Sequence, residues 1–418
     1  MKKLFLSVIG MYLGILAAFS QGSLPEDSSY KKRKLSFEEA NIVSSYYTQD
    51  GNNAAVTGGI GTQKLTDISN AIDVKLHMYD KHLRKHTFTG EIGIDHYTSA
   101  SSDKIDPNTI SSASSADTRY YPSLSWTMEN EEKGRSIGAG ISYSGEYDYQ
   151  SFGANINFSK KTRDKNGEFS AKFQAFMDQV SLIYPKELRA VLNPNNNNNN
   201  PNPGEDQQDQ EDEDDDDDYS MTARNTFSGS LSWSQIINQQ FQLMLTGELV
   251  YQTGYLGLPF HRVYFADNSV HVENLPGTRL KIPIGLRASY FIGDKFIIRT
   301  WLRNYHDDCG ISSNAMQLET VVKINPFFSV TPFYRYYQQT AADYFAPYGI
   351  HTIADKYYNS NYDLSKFNSN FYGAGIRLAP PEGIFKMQHF KSFELRYGHY
   401  QKSNGMNANI ISLNMSIK

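Results

Sequence analysis

One feature limits this chain more than any other: an alternation of apolar and polar side chains with period two, sustained from about residue 53 to the end. Ile72, Val74, Leu76 and Met78 alternate with Asp73, Lys75 and His77, and Phe88, Gly90, Ile92 and Ile94 with Thr89, Glu91, Gly93 and Asp95. Leu280, Ile282, Ile284, Leu286, Ala288 and Tyr290 do the same against Lys281, Pro283, Gly285, Arg287 and Ser289, and Ile411, Leu413, Met415 and Ile417 close the chain. Successive side chains of a strand point to opposite faces, so each such run predicts a strand with one apolar and one polar face. The runs predict sixteen strands, at about 54–63, 70–79, 87–97, 118–129, 135–147, 149–160, 168–178, 224–237, 240–254, 277–291, 295–305, 314–324, 327–339, 368–378, 390–400 and 408–418. Boundaries read in this way are good to about two to four residues.

The lengths of the connections supply a second signal. Short turns fall at 80–86, 130–134, 161–167, 238–239, 292–294, 325–326 and 379–389, and mostly much longer connections lie between them. Alternation of short turns with long loops is the habit of outer-membrane barrels. Within the strands no Asp, Glu, Lys or Arg stands in the apolar register, and aromatic residues crowd the strand ends (Tyr79, Tyr97, Trp126, Tyr143, Tyr251, Tyr290 and Tyr397). A soluble sandwich tolerates the same faces, but it has no use for aromatic girdles or alternating loop lengths. The expected fold is therefore all-β: a transmembrane antiparallel barrel of about sixteen strands at 53–418.

The N-terminus fits that destination. Lys2 and Lys3 precede an apolar stretch from Leu4 to Ala18, and Ala18 and Ser20 are small residues placed for cleavage, so 1–20 reads as a signal peptide. No further run of eighteen apolar residues follows, which excludes a helical membrane protein. A polar lead at 21–52 contains Ser36-Phe37-Glu38-Glu39, the pattern of a capping box, followed by apolar residues at helical spacing. We expect a short helix at 37–47 that lies in or under the lumen, with Phe37, Ile42, Val43, Tyr46 and Tyr47 as a candidate plug. The lead is too short for the plug domain of an energy-coupled transporter. Even strand number then places both termini in the periplasm of a Gram-negative cell.

Charge is concentrated in one tract. Glu205 to Asp218 holds eleven acids and no base, in a chain of net charge −5; losing Lys2 and Lys3 takes the balance to −7, and setting the tract aside leaves +4. The surrounding Asn193–Asp218 is low-complexity and reads as a disordered external loop, without the spacing of a calcium loop. Nothing in the charge pattern suggests nucleic acid as a partner; lipid, lipopolysaccharide and small polar solutes are the expected ones. The polar register carries Asp73, Glu91, Asp95, Asp178 and Glu248 early in the chain, with Lys75 and Lys172. Later it carries Lys281, Arg287, Arg299, Arg303, Lys323, Arg335, Arg377 and Arg396, against Glu319 and Glu394. If this register is the lumen, an acidic wall faces a basic one.

Catalysis and cofactors find little to stand on. The single cysteine, Cys309, excludes a disulfide framework and a cysteine-based metal site. His82 and His86 lack the helix that their spacing needs, and His399 near Ser403 is an isolated pair. His306, Asp307 and Asp308 are the densest candidate ligands for a metal, but neighbours on a loop make a weak set. We expect no enzyme and no cofactor. The reading is a passive or facilitated channel for small polar solutes; the alternative is a plugged barrel that displays loops for adhesion or envelope assembly.

Several blocks extend the picture. LSFEEANIVSSYYTQDGNNAAVTGGIGTQKLTDISNAIDVKL (35–76), IGIDHYTSASSDKIDP (92–107), DTRYYPSLSW (117–126), SFGANINFSKKTRDKNGEF (151–169), LPFHRVYF (258–265) and YRYYQQTAADYFAPYG (334–349) resemble a Gram-negative envelope family catalogued as domain of unknown function 3570. The resemblance covers nearly all of the mature chain apart from the acidic tract. It implies an outer-membrane β-barrel without an established activity, and a genomic setting shared with flavin-transferase and thioredoxin-like proteins, hence a link to envelope redox work.

Overall fold

In the computed structural model, residues 34–98, 116–185, 187–188 and 220–418 are described. The expected signal peptide at 1–20 and the acidic tract lie outside them. Sixteen antiparallel strands close into one barrel. In chain order, β1 is Ser36–Asp50, β2 Leu65–Tyr79, β3 Lys85–Thr98, β4 Ala116–Asn130, β5 Arg135–Gly145, β6 Tyr149–Lys161, β7 Gly167–Ser181, β8 Met221–Asn238 and β9 Phe241–Gly254. Two short strands, β10 (Arg262–Tyr264) and β11 (Val270–Val272), pair only with each other in a loop. The wall resumes with β12 Thr278–Ile292, β13 Phe296–Asp307, β14 Ser312–Asn325, β15 Phe328–Gln339, β16 Phe367–Leu378, β17 Phe390–Lys402 and β18 Asn407–Ile417. Neighbours in sequence are neighbours in the wall, and β1 pairs with β18 to close it.

Closure leaves the barrel no sheet edge, so each of its sixteen strands finds both partners. The pairing fixes which way each side chain points, because residues directly opposite in an antiparallel pair share a face. Ile72 stands opposite Ile92 and Ile42, Trp126 opposite Phe88, and Leu286 opposite Leu245 and Leu302. Leu124, Ile156, Leu231, Leu245 and Leu249 are among the large apolar residues left exposed on this outer face. A belt of this extent has no place in water and fits hydrocarbon. Tyr46, Tyr120, Tyr143, Tyr251 and Tyr397 are exposed toward the end with the long loops, and Phe169, Trp233 and Tyr290 toward the end with the short turns. Among the described strand residues, the charged side chains of the outer register are confined to strand ends: Asp50, and Arg135 opposite Lys160.

Two expectations need correction. Ser36–Asp50 is a barrel strand and not a helix, so the barrel begins at Ser36 rather than at residue 53. What resembled a capping box is a strand with a bulge between Phe37 and Glu39, which interrupts the period and hides it. Glu39 does not return to the Ser36 backbone; it pairs with Lys75 at 2.6 Å and with Lys418 at 3.2 Å. The candidate plug residues therefore belong to the wall. Phe37, Ile42 and Tyr46 take the outer register, and Val43 and Tyr47 the inner one. In turn, 54–63 is not a strand but a connection with a short turn of 3-10 helix at Ala55–Thr57. Gly58, Gly59 and Gly61 have φ of 75°, 87° and 91°, which breaks any strand and which glycine adopts without strain. One strand was exchanged for another, so the count of sixteen and its parity survive. Tyr79 and Tyr97 also differ from expectation: their register is the inner one, and Tyr97 hydroxyl donates to Glu146.

Candidate functional site

The inner face of β12–β17 collects cations. Lys281 and Arg287 (β12), Arg299 and Arg303 (β13), Lys323 (β14), Arg335 (β15), Arg377 (β16) and Arg396 (β17) all fall in the register opposite to the apolar belt. Two of them share one carboxylate: Glu319 accepts from Arg299 at 3.0 Å and from Arg396 at 2.9 Å. Rings replace counterions elsewhere. The guanidinium of Arg396 also lies 4.0 Å from the Phe333 ring centre, that of Arg335 5.0 Å from Phe371 and that of Arg303 6.0 Å from Trp301. The sequence reading omitted Arg279 and Lys402. Both sit near strand ends, where the alternation fades. Arg279 Nε donates to Asp307 at 2.9 Å, and Tyr305 hydroxyl to the same carboxylate at 2.7 Å; Lys402 pairs with Asp363 of the 340–366 loop.

The opposite half is mixed rather than acidic. Asp73, Glu91 and Asp95 are on the inner face of β2 and β3, Asp178 on that of β7 and Glu248 on that of β9. Asp73 accepts from Asn41 at 3.1 Å, and Asp95 from Tyr121 hydroxyl at 3.0 Å. However, Arg119 stands opposite Asp95 and Arg224 opposite Asp178, two bases which the sequence map left out. Glu91, Arg119, Asp178 and Arg224 line one cavity of about 410 Å³. β2 and β3 lie eight places from β12 and β13 in the ring of sixteen, so the two groups face each other across the lumen.

Among the described residues, three long connections, 51–64, 255–277 and 340–366, do not splay apart; they interlock. The 51–64 connection joins β1 to β2 and the 255–277 connection joins β9 to β12, on diametrically opposite sides of the ring. Nevertheless Arg262 Nη1 donates to the Val56 carbonyl at 2.9 Å, and its Nε to Glu187 at 2.5 Å. Contact between opposite sides means that the loops span the mouth. The 340–366 connection completes this cap. Asn274 and Tyr358 exchange backbone hydrogen bonds of 3.1 and 2.9 Å, and Ala266 N–H donates to the His351 carbonyl at 2.8 Å. At the centre is Glu273, 6% exposed, whose carboxylate takes the Leu258 N–H at 2.5 Å, faces His261 Nδ1 at 3.1 Å and accepts from Asn359. Burial pushes the Tyr255 phenol beside it far above its usual range. Asp355 is held below the usual carboxylate range by the Thr352 N–H and by His351.

The candidate metal ligands diverge. Strand alternation turns His306 outward, where Nδ1 meets Ser312 hydroxyl at 2.8 Å, and Asp307 inward to Arg279. Asp308 accepts from the Leu280 N–H at 3.0 Å. His86 stacks on Trp126, whose indole donates to it at 3.1 Å, and His399 faces Asn409 at 2.9 Å rather than Ser403. Burial raises the Cys309 thiol above its ordinary value, which disfavours the reactive thiolate.

Residues 82–415 match the family described as "Protein of unknown function (DUF3570)". No curated protein matches the chain. A BenF-like porin from Pseudomonas fluorescens Pf-5 superposes with 8% identity and a TM-score of 0.41, over 93% of this chain and 100% of that one. OccK9 (OpdG) of Pseudomonas aeruginosa gives 9% and 0.41, over 93% and 99%. A bacterial polysaccharide outer membrane secretin gives 8% and 0.42, over 91% and 98%.

Proposed function

Because this chain belongs to the DUF3570 family, whose description carries no activity, we propose a function from the barrel itself: a passive channel for small polar solutes, restricted at one mouth by its own loops. The observation that carries the reading is the inner face. A barrel built only as a platform has no need of Arg287, Arg303, Arg335 and Arg377, none of which is in an ion pair among the described residues. Leaving such charges unpaired is tolerable only where water reaches them. A basic wall opposite a mixed one sets up a field across the lumen, which orients dipolar solutes and excludes apolar ones.

In this reading the short turns and both termini lie in the periplasm, and the long loops, the acidic tract among them, face outward beside lipopolysaccharide. The cap supports a second reading, a closed barrel that displays a rigid loop surface. Single-channel recording in planar bilayers separates the two. The channel reading expects small steps from the intact protein, with larger or more frequent ones after Glu273→Gln loosens the cap, and a reversal potential in a salt gradient that favours anions. Silence from both proteins, each verified as folded by its migration before and after boiling, establishes the scaffold instead.

A further inference from the structure

Below the 340–366 loop, the wall from β13 to β17 hollows into a cavity of about 520 Å³. Its origin is local. Ala315, Ser313 and Ser369 are small residues in the middle of the patch, and the rows on both sides carry large ones. Trp301, Tyr337 and Tyr400 supply flat apolar walls. Arg303 and Arg335 supply charge, and neither lies within ion-pair distance of a carboxylate among the described residues. The third cation at the rim, Lys402, is already satisfied: it pairs with Asp363, and its ammonium lies 4.8 Å from the Phe367 ring centre. Two guanidinium groups without counterions remain, each beside a ring that holds it in place.

We propose that this cavity binds a small organic anion with a flat apolar body, its carboxylate held by Arg303 and Arg335 and its body against the rings. A guanidinium presents paired N–H donors that match a carboxylate, which a lone ammonium does not. Aromatic walls add offset or edge contacts for a flat partner, and an inorganic anion leaves them unused. The volume lies in the range of small-molecule sites, about 300–1,000 Å³. The cavity on the opposite wall differs: it mixes Glu91 and Asp178 with Arg119 and Arg224 and offers an anion no net attraction. This inference deepens the channel reading and rests on it only for how the solute arrives.

The test is a binding titration on the full chain in detergent. Trp126 and Trp233 take the outer register and Trp301 the inner one, so W126F/W233F leaves one reporter in the cavity. Benzoate should change Trp301 emission saturably. Acetate, which lacks the ring, and benzamide, which lacks the charge, should each bind at least about tenfold more weakly. R303Q and R335Q should weaken benzoate by at least about tenfold, and Arg335→Lys by less, because it keeps the charge and loses the fork. R163Q, the same charge change in a remote turn, should leave binding unaltered. Each variant is first checked for heat-modifiable migration. Absence of saturable benzoate binding, equal binding of acetate or benzamide, or R303Q and R335Q that bind as tightly as the parent overturns the site. Bilayer recordings on the same samples keep the two proposals apart: conductance without binding removes the site and leaves the channel, and binding without conductance does the reverse.

Discussion

The barrel wall and the cap over its mouth are built from opposite kinds of contact. In the wall each strand's backbone ladder joins only its neighbours around the ring, and one rule repeats: apolar out, polar in. In the cap no rule repeats. Arg262 reaches Val56 across 206 residues, and Glu273 reaches Asn359 across 86. The wall leaves its apolar residues for lipid to cover, whereas the cap buries polar groups inside protein and must satisfy each of them. Damage should therefore spread differently. A wall tolerates a changed lumen side chain but not a charge in its belt, and a cap should loosen as a unit when its central acid is altered.

Two adjacent positions put the largest effect on this difference. Leu286 and Arg287 are near the middle of β12 and point to opposite faces. Leu286→Arg should cost about 2–4 kcal/mol, the usual expense of a cation at the bilayer midplane. Arg287→Leu should stay within about 0.5 kcal/mol, since it removes an unpaired side chain from a wet surface. Reversible urea unfolding in lipid vesicles measures both. Equal effects at the two positions would mean that β12 does not separate lipid from lumen.

The same contrast explains what could be read from the residues alone. The wall was legible because period two encodes it locally: Ile284, Leu286 and Ala288 declare their face without reference to any partner. It failed at β1, where the bulge at Glu38 and Glu39 shifts the phase and leaves Ser36 and Glu39 at a helix-like spacing. Closure held the missing signal. The seam needs a partner for β18, and Ile42, Val43, Tyr46 and Tyr47 have the β-branched and aromatic character that strands favour. The charges of the inner face followed from the same periodicity, apart from those near strand ends, Arg119, Arg224, Arg279 and Lys402. The cap was not legible at all. The pairing of Glu273 with His261 and Asn359 depends on where two loops meet, and no spacing along the chain records that.

Glu273→Gln gives the next effect in size. The amide keeps the shape but puts an NH2 donor in place of one of two oxygens that accept, one from Leu258 N–H and the other from Asn359. A donor left facing a donor in a buried site costs about 1–3 kcal/mol. The loss should stay within the cap: backbone hydrogen exchange should speed up across 255–277 and 340–366, while the amides of β12–β18 keep their protection. If the whole barrel exchanges faster, wall and cap are one cooperative unit and the distinction fails.

The smallest effect is expected where wall and cap end meet. Asp148 occupies the tight connection between β5 and β6, and its carbonyl accepts from the Ser181 N–H at 2.9 Å. Burial, together with the nearby Glu146 and Asp117, raises its carboxyl to about 6. A carboxyl whose pKa is raised by folding favours the protonated form in the native state. Its stabilising share is thus fully present below the ordinary value of 3.8 and is lost as pH rises through about 6. Acidification from pH 7 to 5 should therefore strengthen this connection, opposite to the usual behaviour of paired carboxylates. Asp148→Asn should fix it in the stronger state and flatten the dependence between about pH 4 and 6. Hydrogen exchange of the Ser181 amide as a function of pH reads this directly: protection that rises with pH in the parent, or a dependence that persists in D148N, would show that the carboxylate is held charged and that the junction is stiffened by some other group.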